Sequence, residues 1–190
     1  DYRARVTSDE ERDFLAAHVA GSSTTYRDID TADHVALIAF EPEEESPIVF
    51  LRLNKNFKKR GLKVSAVATK GSIAMDKLKA DFIKVAPGAE ASAVAGLALT
   101  AKSVILVGER ASESAGIFSA VAALSAKTGA KIAYIPRRAG ERGALEAGAL
   151  GNVLPGGRPV TDAAARVDIA AAWGVETLPV TPGRTSSQII

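Results

Sequence analysis

Residues 104–135 read VILVGERASESAGIFSAVAALSAKTGAKIAYI, and this run decides the fold class. It opens with Val104–Val107, a continuous apolar run of the kind found in strands covered on both faces. An acidic turn, Gly108–Glu113, leads into a helix over Ser114–Thr128. Gly129 sits where a helix closes in the left-handed conformation, and Lys131–Ile135 is a second apolar strand. The unit is a strand–helix–strand crossover, a connection that is right-handed almost without exception and leaves its two strands parallel.

The same plan occurs upstream. Val35–Ala39 reads as a strand, Glu41–Glu45 as an acidic turn, Pro47–Arg60 as a helix, Gly61 as its stop and Val64–Ala68 as a strand. Ser46 before Pro47 has the form of an N-cap with proline at the first helical position. Two such crossovers in tandem predict a doubly wound, mostly parallel α/β sheet with helices on both faces, Rossmann-like in outline. Between them Phe82–Val85 is short enough for an edge strand, and Pro87-Gly88 turns into a helix over Glu90–Leu99. Near the start, Ser8 and Glu11 form a capping-box pattern ahead of Phe14, Leu15 and Val19. A late helix runs from Thr161 to Trp173 and ends at Gly174. No cap or closing element follows Thr185, which reads as a truncated end. The expected organisation is a lead-in helix and linker over 1–30 and an α/β domain over 31–190. That domain holds the repeats 31–70 and 101–137 and a C-terminal helical and loop segment.

Hydrophobic residues make up 47% of the 190, enough for a real core and too many for wholesale disorder. No apolar run approaches the ~20 residues needed to span a bilayer, and Asp1–Thr7 lacks the apolar core of a signal peptide. A net charge of +2 is too balanced to predict a nucleic-acid partner. With no cysteine, disulfides, thiolate metal sites and iron–sulfur ligation are excluded within these residues.

Ligands of open α/β sheets bind outside the carboxyl ends of the strands. That edge carries Glu41, then Glu109 and Arg110, then Arg137 and Arg138, with Arg142 beyond; these are the candidate cofactor-contacting residues. Neither turn has the glycine spacing of a phosphate cradle. The four carboxylates within Glu41–Glu45 repel a phosphate. As complements to the positive end of the next helix they contribute about 0.3–1 kcal/mol apiece when exposed. Arg137, Arg138 and Arg142 suit bidentate capture of a carboxylate or phosphate. Pairing with Glu141, Glu146 or Glu109 is an equal alternative, and a docking surface for a neighbouring domain satisfies both. The basic run Lys55, Lys58, Lys59, Arg60, Lys63 fits a solvated helix C-terminus, where cations are favoured. Asp28, Asp30 and Asp33 beside His34 lack the tight loop of a hard-cation site and suit turns and caps. His18 has no second ligand near it in sequence. No serine sits in a Gly-x-Ser-x-Gly turn. No catalytic and no metal-ligating residue is expected.

The run AYIPRRAGERGALEAGALGNVLPGGRP, residues 133–159, with VALIAFEPEEESPIVFLRLNK, residues 35–55, resembles the G-subunit family of bacterial NADH–quinone oxidoreductase, respiratory complex I. These are the large iron–sulfur subunits, whose C-terminal part descends from the molybdopterin oxidoreductases. The likeness covers nearly all of 1–190, and Pro136–Pro159 is its most specific part. It implies a structural, molybdopterin-oxidoreductase-like segment, with no cofactor of its own and with iron–sulfur clusters in the rest of the parent subunit. It also implies other modules of that subunit and other peripheral-arm subunits as partners, and a place on the cytoplasmic face of the membrane without insertion into it. In molybdopterin enzymes the first strand typically ends in Gly-x-Asn-Pro and the next in a Pro-Arg pair. Here the matching positions read Phe40-Glu41-Pro42 and Ala68-Thr69-Lys70, while Ala80-Asp81 and Pro87-Gly88 keep a further family pattern. A carboxylate in place of the amide implies a decayed pterin diphosphate site. The alternatives are a working molybdopterin or nucleotide domain, clamping its anion with Arg110, Arg137 and Arg138, and a stand-alone α/β interaction module.

Overall fold

The structure, a computed structural model, describes residues 7–184 and 186–189. The readings of Asp1–Thr7 before residue 7, and of the chain end at Thr185 and Ile190, lie outside the described residues. The chain forms two compact units. One is Ser23–Arg137, and the other joins the described residues up to Ser22 with those from Arg138 onward. The sequence pattern places its boundary at 30/31 instead.

Ser23–Arg137 holds a sheet of five strands: β1 His34–Ile38, β2 Lys63–Ala68, β3 Asp81–Lys84, β4 Val104–Gly108 and β5 Lys131–Ile135. Their order is β3-β2-β1-β4-β5, and every pairing is parallel. Val35 lies opposite both Val64 and Val104, which sets β1 in the centre. All five residues of β1 and of β4 are buried, as continuous apolar strands under two helical layers must be. β3 and β5 are the edge strands, with Asp81 and Lys84 of β3 and Lys131 of β5 exposed.

The first crossover helix, Pro47–Arg60, keeps the predicted bounds and closes at Gly61 with φ 67°. It buries Val49, Phe50 and Leu53 against Val35, Leu37, Val64 and Leu106. Leu53 is fully buried, and sequestering such a side chain is worth about 1.5–3 kcal/mol. Ser46 occupies the cap position but its side chain makes no capping bond. The acidic turn before it is itself a short helix, Pro42–Glu45.

The second crossover departs from expectation at its start. Glu109–Glu113 winds as a 3-10 turn, and the helix spans Ile117–Thr128, beginning three residues late. Ser114 donates its hydroxyl to the buried Glu90 carboxylate instead of entering the helix. Gly116 then turns the chain at φ 82°. The helix after Pro87-Gly88 is also shorter than predicted, Glu90–Ala95, because Gly96 ends it.

In the second unit, Ser8 accepts the Glu11 N–H at 3.1 Å as the capping pattern required. The helix Asp9–Phe14 continues as a π-helix over Leu15–Val19. The late helix is Ala163–Trp173, capped by Asp162 rather than starting at Thr161. It packs Ala165 and Ile169 on Leu154 and Val160. The Pro-Gly-Gly turn joins two short antiparallel strands, Val153–Leu154 and Arg158–Pro159. A Cβ on Gly157 would lie 2.6 Å from the Gly21 nitrogen and 2.7 Å from Glu146 Oε2, so no side chain fits there.

Candidate functional site

The chain runs outward from β1 to β2 and β3, then crosses back so that β4 lies on the other side of β1. At such a reversal the connections leave in opposite directions and a crevice opens at the carboxyl ends. A cleft of about 500 Å³ occupies that place. Its lining comes from the turn after β1 (Ala39, Phe40, Glu41), the turn after β2 (Thr69, Lys70, Gly71, Ser72) and the segment after β4 (Arg110, Glu113, Ser114). Met75 and Ile117 add apolar surface. β1 and β4 approach so closely at this end that a Cβ on Gly108 would meet the Ala39 carbonyl oxygen at 2.4 Å. Ala39 itself has φ 48°, a left-handed conformation rare for a residue with a side chain.

Glu41 stands half-buried in this cleft. Its Oε2 accepts the Ser72 hydroxyl at 2.9 Å. Burial pushes its carboxyl above the ordinary value, against the Ser72 hydrogen bond and with the Glu43 and Glu44 charges adding to the rise. Glu90, also on the lining, is opposite in outcome. Burial alone would raise it, but the Ser114 hydroxyl and backbone N–H groups hold it below its usual value.

The arginine rim is divided. Arg110 reaches Glu45, with Nη2 to Oε1 at 2.6 Å, and Arg137 Nε lies 3.8 Å from the other oxygen of the same carboxylate. The Glu45 side chain is only 10% exposed, and its Oε2 has no hydrogen-bond partner among the described residues. Glu109 accepts the backbone N–H of Arg137 at 3.2 Å. Arg138 and Arg142 belong to the second unit. Arg138 pairs with Glu141 at 3.2 Å, and Arg142 pairs with Glu146 at 2.8 Å while donating to the Ser22 carbonyl at 2.6 Å. Sequence reasoning missed Glu45 as the hub, and missed Ser72 and Ser114 as the hydroxyls serving Glu41 and Glu90. Only the four-residue return of the Pro42–Glu45 helix, whose Glu45 accepts the Glu41 N–H at 3.2 Å, was open to local inspection.

Asp28, Asp30 and Asp33 do not converge. Asp28 completes a capping box with Thr25 and meets Lys131. Asp30 holds Arg52 and Asn56. Asp33 accepts Thr100 and Ser103 hydroxyls at 2.7 and 2.9 Å. Among the described residues no three His, Cys, Asp or Glu side chains group as metal ligands. No helix among them is long and apolar enough to cross a membrane.

No family model matches the chain. The G subunit of NADH-quinone oxidoreductase from Mycobacterium tuberculosis, and that from Mycobacterium bovis, are each 46% identical to it over 200 residues, covering 100% of the chain. The Streptomyces coelicolor G subunit is 45% identical over 222 residues, again covering the whole chain. The chain belongs to the G-subunit family of NADH-quinone oxidoreductase. It spans about a quarter of the length of these relatives, 25% or 26%.

Of the positions set against the molybdopterin pattern, Phe40, Glu41, Ala68, Thr69, Lys70, Pro87 and Gly88 line the cleft, whereas Pro42, Ala80 and Asp81 do not. A pterin diphosphate does not fit the donor set found there. Glu41, Glu90 and Glu113 face the cleft, while Arg110 is held by Glu45 and leaves Lys70 to oppose them. A carboxylate excluded from water repels a diphosphate strongly.

Proposed function

We propose that the chain is a structural segment of NADH-quinone oxidoreductase, a molybdopterin-oxidoreductase-like α/β domain that binds no pterin and does no chemistry itself. In this reading the iron–sulfur clusters that pass electrons from NADH toward quinone lie elsewhere in the parent subunit. The other modules of that subunit and the peripheral-arm subunits of the complex are its partners, on the cytoplasmic face of the membrane. The observation that carries the reading is the identity of 45–46% along the whole chain to G-subunit proteins about four times as long. The carboxylate-lined cleft and the absence of cysteine support it. The experiment is deletion of residues 1–190 from the parent subunit, followed by purification of the complex. Loss of assembly, and with it of NADH-driven quinone reduction, is the expected result. Assembly and electron transfer at the undeleted level would overturn the reading.

A further inference from the structure

We propose that the cleft at the carboxyl ends of β1, β2 and β4 is a socket for a basic side chain, arginine or lysine, carried by polypeptide outside this chain, with Glu41 as its counter-ion. The proposal rests on the structural reading above and names what that structure docks. Two groups of observations lead to it. The first is the distribution of charge: Arg110 on the lining is held by Glu45, and the neighbouring Lys77 by Glu43. Of the lining carboxylates, Glu90 is served by the buried Ser114. Glu41 has only hydrogen bonds, from Ser72 and the Glu43 backbone, and no cation within ion-pair distance among the described residues. A half-buried carboxylate so placed is held above its ordinary proton affinity, which is the state a docking cation relieves.

The second is the shape and chemistry of the space. The carboxylate stands beside apolar surface from Met75 and Ile117, in a cleft of about 500 Å³. Lysine and arginine present that combination in reverse, an aliphatic stem for the apolar wall and a charged head for the acid. The fold leaves this crevice open at the reversal of strand order, and nothing within the described residues of Ser23–Arg137 fills it. The relatives are about four times as long as the chain, so polypeptide to supply the side chain exists in them.

Hydrogen exchange of the parent-length protein in its complex tests this. Residues 69–76 should exchange at least about tenfold faster in Glu41→Arg than in wild type, with Glu41→Gln between them, as loss of a charge-assisted contact requires. Glu113→Arg on the same lining repeats the test should Glu41→Arg fail to fold. Unchanged exchange at 69–76 in a folded variant overturns the proposal. A solution measurement on this chain separates the occupants. Met75 is its only methionine, so its methyl signal reports on the cleft alone. N-acetylarginine amide should shift that signal saturably, and its neutral isostere N-acetylcitrulline amide should bind at least about tenfold more weakly. Equal binding of the two, or a response to inorganic pyrophosphate alone, overturns the socket. An undisturbed complex after deletion of 1–190 would remove the structural reading yet leave the arginine–citrulline comparison standing, so the two failures are distinct.

Discussion

The two ends of the same parallel sheet are built on different plans. At the amino end the polar groups pair with one another, even around a smaller cleft of about 360 Å³ where Asp28 and Lys131 form an ion pair. Asp33 takes the Thr100 and Ser103 hydroxyls, and His34 Nε2 lies 2.8 Å from Ser65 Oγ with both residues buried. At the carboxyl end the groups line a cleft, and Glu41 is left with hydrogen bonds but no cation among the described residues. The first end is an internal network whose value is stability. The second keeps a charged group half-buried and available, an arrangement expected where something else is to be bound. Left-handed backbone does not separate the two ends, since Ala39 follows β1 at φ 48° and Lys79 precedes β3 at φ 47°.

Four experiments sharpen or break this contrast. The largest effect is expected at the tightest contact. Gly108→Val forces a Cβ onto the Ala39 carbonyl and should destabilise the fold by about 3 kcal/mol, read by urea denaturation. A change below about 1 kcal/mol would show that the two strand ends can separate. Next, Asp33→Ala at the amino end withdraws the acceptor of two hydroxyls, one on the buried Ser103, and should cost about 1–2 kcal/mol. No loss would mean that the network contributes nothing to stability.

The third experiment is pH. Burial, reinforced by the Lys63 charge, holds the His34 imidazole below its ordinary value of 6.5. A folded value below the unfolded one means that the folded state resists protonation, so stability is complete above pH 6.5 and declines as pH falls from there toward the folded value. His18 shifts in the same direction, so His34→Gln should flatten the decline only partly. A melting profile unchanged by that variant would separate His34 from the pH response. The smallest effect belongs to Glu41. Its folded value is raised, so its charged form opposes folding, and the opposition vanishes below the ordinary value of 4.5. Glu41→Gln should therefore raise the Tm of the isolated chain slightly at pH 7 and leave it unchanged at pH 4. A lower Tm at pH 7 would mean that the carboxylate is a stabilising member of the cleft, and the two sheet ends would then be alike.

Residues 47–60 and 131–135 show what is legible locally. Proline at a first helical turn, a left-handed glycine at its end and an unbroken apolar strand are each decided within a few residues, and both elements have the predicted bounds. The second crossover shows the limit. Ser114 resembles a helix start, but its hydroxyl is drawn to Glu90, 24 positions earlier in the chain, and the helix waits until Ile117. The arginine rim divides in the same way. Arg138 and Arg142 find the nearby Glu141 and Glu146 named from the sequence, whereas Arg110 and Arg137 turn to Glu45, far from either.

The alternation of strand and helix, the helix stops and the likeness to the G subunits were set by the sequence itself, because each depends on short-range backbone preference or on a run of residues read in order. Strand order, the cleft at the β1–β4 reversal and the choice of partner for every charged side chain around it were decided only in three dimensions. Those depend on which distant segments the parallel register brings side by side, and no local preference encodes that.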